Sequence, residues 1–94
     1  MITSLIKHEV EDFGKWVSAY EAHAIQRRDA GALKSHVFQA ADNPNSVTIV
    51  IHWETLVQME TFLQSPELRQ AMAAAGVVGQ PTVTVMESYK AYDF

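Results

Sequence analysis

Asp42-Asn43-Pro44-Asn45 followed by Ser46-Val47-Thr48-Ile49-Val50-Ile51-His52-Trp53 is the stretch that decides the fold. The first four residues are a dense turn signal. The next eight are rich in β-branched and aromatic residues and read as the strongest strand in the chain. Upstream of the turn, Leu33 to Ala41 reads as a second strand, so the two form an antiparallel hairpin. Ile2 to Glu9 reads as a strand before the hairpin, and Thr82 to Tyr92 alternates as a strand after it.

Helical periods fill the gaps. Phe13, Trp16, Val17, Tyr20 and Ala24 recur at three- and four-residue spacing, which puts them on one stripe. Asp12 suits the N-cap of that helix, Arg27 and Arg28 favour its C-terminal dipole, and Gly31 suits its end. After the hairpin, Thr55 and Gln58 form a capping box, with Leu56, Met59 and Leu63 on the buried stripe. Ser65-Pro66-Glu67 restarts the helix with an N-cap, a first-turn proline and an acid at the positive end of the dipole. Leu68, Met72 and Ala75 extend the stripe to Gly76, and Gly76 to Pro81 reads as a connector or a lid. The order β-α-β-β-α-β, with right-handed crossovers, gives a ferredoxin-like α+β fold with a four-stranded antiparallel sheet and helices on one face.

Ninety-four residues make one domain, here 1-94, with a small core. At this size a chain buries roughly 60–65% of its unfolded surface. The net charge of −4 and the absence of a basic stripe exclude nucleic acid as a partner. No run approaches the ~20 apolar residues of a membrane span, so no membrane is expected. Met1 to Leu5 has no secretory pattern. The absence of cysteine removes disulfides and thiolate chemistry and fits a cytoplasmic protein.

Alternation sets a partner. Val47, Ile49, Ile51 and Trp53 form one face of their strand and are assigned to the helices, while Thr48, Val50 and His52 form the other. That second face, with His36 and Phe38, is too apolar to sit bare in water and too polar for a dry core. Such a face suits a cavity wall and an association surface, so a homodimer is expected.

The chain is similar to the dimeric α+β barrel superfamily, and within it to antibiotic biosynthesis monooxygenase-like domains. The likeness rests on Val10 to Trp16, the turn Asp42 to Val47, Phe62-Leu63-Gln64-Ser65-Pro66-Glu67-Leu68, and Ala75 to Pro81. The resemblance implies two sheets packed face to face, with a pocket between sheet and helices or within the barrel. It also implies, for some members, oxidation of aromatic polyketides by dioxygen with no metal or flavin, so no cofactor is expected. Oxygenating members use asparagine, tryptophan, tyrosine or histidine around the substrate. Here the asparagines are Asn43 and Asn45, both in the turn, and Trp16 and Trp53 read as core. No catalytic set is therefore carried over.

His36 and His52 are the candidate catalytic residues, because histidine titrates near neutrality and serves as base, acid or ligand. If the hairpin pairs residues whose numbers sum to 88, they lie directly opposite each other, and a one-residue slip separates them. The competing reading is a pair of polar residues at a barrel wall. Phe38, Thr48, Val50, Thr84, Met86, Tyr20 and His23 are the candidate ligand contacts. Tyr20 reads also as core, and His23 as a residue at the edge of the helix stripe. A metal would need a third ligand, and no spacing demands His8 in that role. The sequence thus points to a homodimer that binds a small, largely apolar or aromatic molecule in a sheet-lined pocket. The alternative is a cofactor-independent monooxygenase acting on aromatic or polyketide-like substrates.

Overall fold

The computed structural model describes all 94 residues. Its strands are β1 (Ile2–Val10), β2 (Ala32–Ala40), β3 (Asn43–Trp53) and β4 (Val77–Glu87). Its helices are α1 (Phe13–Ala22), α2 (Ala24–Asp29), α3 (Leu56–Leu63) and α4 (Pro66–Ala74). The sheet is antiparallel throughout, in the order β2-β3-β1-β4. This is the ferredoxin-like α+β arrangement, with each crossover helix divided in two.

The caps follow from residue chemistry. Asp12 accepts a bond from the Lys15 amide at 2.9 Å, Thr55 from Gln58 at 3.1 Å and Ser65 from Leu68 at 3.2 Å. Each such cap contributes about 1 kcal/mol. Gly31 and Gly76 end the two helical pairs at φ 107° and 87°, a region that L side chains resist. The first crossover is one helix by periodicity but breaks at His23. There the imidazole Nδ1 takes the Ala19 carbonyl at 2.9 Å, while the His23 amide leans on both Ala19 and Tyr20.

Three boundaries differ from the sequence reading. The turn is only Ala41-Asp42, and β3 starts at Asn43 with a register irregularity that absorbs Pro44. Asn45 is then free to accept from the Phe13 amide at 3.0 Å and tie the hairpin to the start of α1. Val77 to Pro81 is neither connector nor lid. It opens β4, pairing Val77 with Val10 and Val78 with Glu9, and a bulge takes up Gly79 to Pro81. β4 stops at Glu87, so Lys90 and Tyr92 lie beyond the sheet.

The core lies between the sheet and the helices. Val47, Ile49, Ile51 and Trp53 of β3 are buried there with Ile6 and Val10 of β1, Trp16 of α1 and Met59 of α3. Trp53 packs its ring 5.3 Å from Phe62 and donates from Nε1 to Ser4 Oγ at 2.9 Å, which satisfies both buried polar atoms. The face assignment made from alternation in β3 therefore holds.

Candidate functional site

A cavity of about 470 Å³ opens between the sheet and the helices. Ile6, Ile49 and Ile51 form its floor, from the covered face of β1 and β3. Trp16 and Tyr20 of α1 form one wall, and Phe62, Leu68 and Met72 the opposite one. Helical spacing explains the first wall: residues four apart lie one above the other. Their rings stack at 4.9 Å with 21° between planes. Arg27 caps the stack, its guanidinium carbon 3.4 Å from the Tyr20 ring centre. Burial pulls the pKa of Arg27 down against the opposing pull of Tyr20. The Tyr20 hydroxyl is hydrogen-bonded to Ser35 Oγ on β2, which fixes the ring from the sheet side.

His8 of β1 is the polar member of the floor. It is 5% exposed and meets Trp16 edge-on, with ring centres 5.5 Å apart. Its Nδ1 is buried without a hydrogen-bond partner. Burial lowers its pKa, which its own backbone and the charge of Glu9 only partly oppose. Burial therefore favours the neutral imidazole.

A family model described as antibiotic biosynthesis monooxygenase matches residues 7–74. The chain belongs to the antibiotic biosynthesis monooxygenase family. A search of curated proteins finds no match. Among solved structures, one from Bordetella bronchiseptica, described as a putative antibiotic biosynthesis monooxygenase, is similar at TM-score 0.80 and 17% identity. That likeness covers 95% of this chain and 97% of the other. SnoaB of Streptomyces nogalater, described as a cofactor-independent oxygenase, matches at TM-score 0.78 and 14% identity, over 96% of this chain and 94% of its own. A Streptomyces coelicolor monooxygenase in complex with nanaomycin D matches at 0.70 and 21%, over 97% and 89%. At these identities the structures establish the fold they share with this chain.

In this antibiotic biosynthesis monooxygenase family member, the candidate residues fall on two sides of the sheet. Tyr20 and His23 line the cavity. His36, His52, Phe38, Thr48, Val50, Thr84 and Met86 lie on the opposite, helix-free face, as their pairing with Leu5, Thr3 and one another requires. The hairpin pairs residues whose numbers sum to 86 rather than 88, so His36 faces Val50 and His52 faces Lys34. The two histidines are diagonal neighbours, and each has a different companion. His36 stacks on Phe38 at 4.0 Å, and His52 Nδ1 lies 2.9 Å from Thr3 Oγ1. A shift of two preserves the face and loses the direct opposition.

His8 is on the other side from both, so it is not a third ligand to that pair. No three His, Cys, Asp or Glu side chains are placed to hold a metal ion together. Trp16, read from sequence as core, is both core and cavity wall. His8 had a legible signal: in β1 it shares the alternation of Ile2, Ser4, Ile6 and Val10, which is the covered face.

Proposed function

We propose that this protein binds a small, flat, largely apolar molecule in the cavity between sheet and helices. The observation that carries this reading is the cavity wall itself: a stacked Trp16–Tyr20 pair over an isoleucine floor, with one buried imidazole. Stacked aromatics recognise flat rings through dispersion and quadrupole contact. An apolar pocket with few polar groups is the usual form of a small-molecule site. Trp16 supplies the test. Hydroxylated two- and three-ring aromatics should quench its emission saturably and raise the melting temperature. Ala71→Trp, which fills the cavity, should abolish both while the fold persists. If none of these aromatics quenches or stabilises the wild-type protein, the reading fails.

A second reading adds turnover. Family membership supports it, as does the likeness to SnoaB, which is described as a cofactor-independent oxygenase. In that chemistry the substrate gives up a proton, the resulting carbanion reduces dioxygen, and the protein contributes a base and a dry cavity. Oxygen consumption with the same aromatics tests it. Saturable binding without oxygen uptake would leave a binding protein.

The helix-free face supports a homodimer. Leu5, Val50 and Met86 are only half-buried there, and Phe38 is 45% exposed. A second copy packed on it would enclose them with His36 and His52, whose double replacement by alanine tests whether that wall takes part in chemistry. Sedimentation at micromolar concentration should give twice 10.5 kDa, and a 10.5 kDa particle overturns the dimer.

A further inference from the structure

The cavity carries a cation that no group of the molecule answers. Arg27 reaches the cavity from α2, with Gln26 and His23 beside it. Its guanidinium carbon lies 3.4 Å from the centre of the Tyr20 ring. At that separation the group must lie flat, because an edge-on approach would drive its nitrogens into the ring. Trp16 stacks on Tyr20 as well, so the three side chains form one pile. A stacked guanidinium uses its face and keeps its edge, where five N–H donors point outward in one plane. No side-chain hydrogen bond of the fold ends on them. The chain's one salt bridge belongs to the next residue, Arg28, which pairs with Asp29 in the open at 3.5 Å.

The groups around Arg27 are engaged elsewhere. The Tyr20 hydroxyl is bonded to Ser35, and His23 Nδ1 to the Ala19 carbonyl. Glu67 borders the same cavity from α4 but forms no ion pair with Arg27. It sits in the first turn of α4, where the helix dipole favours a carboxylate. Burial works against the charge on Arg27 without removing it, since a guanidinium stays protonated in proteins. A half-buried cation gains more from an anion than an exposed one does, because less water screens the pair.

We propose that the ligand of this cavity is an aromatic carboxylate, its ring over the isoleucine floor beside Trp16 and its carboxylate held by the edge of the Arg27 guanidinium. This rests on the reading that the cavity is a ligand site, and it adds the class of ligand. The planar fork of donors matches a planar carboxylate at two points. The stack holds that fork before any ligand arrives, and the Tyr20–Ser35 bond holds the stack, so little ordering is left to binding. One cation on a cavity that also carries Glu67 suits a single negative charge better than a phosphate dianion.

The probes are naphthoate, naphthamide, which keeps the shape without the charge, and naphthyl phosphate. Calorimetric titration at neutral pH reads their affinities. Wild type should hold naphthoate about ten- to a hundredfold tighter than naphthamide, the span expected of a hydrogen bond to a charged group. Arg27→Met keeps an apolar stem on Tyr20 and removes the fork, so it should bring the two affinities level. A wild type that holds acid and amide equally overturns the assignment with no variant needed. So does a folded Arg27→Met that keeps the preference. In both cases binding of the amide leaves the cavity reading standing. Naphthyl phosphate bound more tightly than naphthoate overturns the choice of a carboxylate. If neither acid nor amide binds wild type, the cavity reading fails and the role of Arg27 fails with it.

Discussion

The two faces of one sheet make the central comparison. Along β3 the odd-numbered residues from Val47 to Trp53 are at most 4% exposed, while their even-numbered neighbours Thr48, Val50 and His52 are half-buried. The backbone is the same, and so is the pairing with β1 and β2. Only the cover differs: four helices on one side, none on the other. The covered face is apolar and pairs the polar atoms it admits, with His8 as the exception. The open face mixes apolar and polar residues and pairs some of them, as Thr3 does with His52. The covered face therefore holds the fold together and also houses the cavity, so binding and stability draw on the same residues. The open face can be changed with less effect on the fold.

The largest break in that contrast comes from Trp53→Ala. It removes a fully buried ring and leaves the Ser4 hydroxyl without its donor. The expected loss is about 3–5 kcal/mol, a large share of the 5–15 kcal/mol that holds a domain together. Val50→Ala on the open face should cost about 1 kcal/mol. Urea denaturation of the two variants decides: equal losses would show that the faces do not differ in energetic weight.

Val50→Lys sharpens the other side of the comparison. A cation in the middle of the open face should stay solvated in a monomer and be excluded from a packed interface. If two copies pair through this face, the expected outcome is a folded protein that sediments at half the wild-type mass, with a melting temperature that no longer depends on concentration. A variant that remains dimeric would place the interface elsewhere.

Acid should act through the covered face. His8 is held below its ordinary value of 6.5 by burial. As pH falls below about 6.5, the unfolded chain takes up a proton at His8 that the folded chain refuses. The unfolded state then binds more protons, so stability falls with pH until the folded imidazole also titrates. The contribution is fully present above the unfolded value. Urea midpoints measured from neutral to mildly acidic pH should decline in wild type, with a shallower slope in His8→Gln. Parallel slopes would remove His8 as the cause.

Much of this architecture was legible because local signals and long-range pattern agree. The caps at Asp12, Thr55 and Ser65, the helix ends at Gly31 and Gly76, and the alternation in β3 each follow from one residue type at one position. Strand register was not legible, since a two-residue slide keeps every side chain on its face. The start of β4 was hidden by Gly79 and Pro81, which look like a connector and are a bulge. The break at His23 was hidden too, because a side chain bonding back to Ala19 leaves the helical period intact. The cavity lies on the side where alternation predicts packed core. The volume by which this core falls short of full packing depends on how α1 and α4 sit over the sheet, and residue spacing does not encode that.

The smallest effect lies in the open face's own polar pair. Thr3 faces away from the helices yet is only 7% exposed, flanked by His52 on β3 and Met86 on β4. Its Oγ1 lies 2.9 Å from His52 Nδ1. A net intramolecular hydrogen bond of this kind contributes about 0.5–1.5 kcal/mol. Thr3→Val keeps the shape and removes the hydroxyl, and His52→Phe keeps a ring and removes the nitrogen. A double-mutant cycle on urea midpoints should return a coupling of about 0.5–1 kcal/mol, since the residues are in contact. A coupling near zero would mean that solvent already satisfies both groups, which is what an uncovered face allows. A coupling well above that range would mean that the pair is shielded from water in solution beyond what the half-buried His52 finds in one molecule, as a second molecule on this face would do.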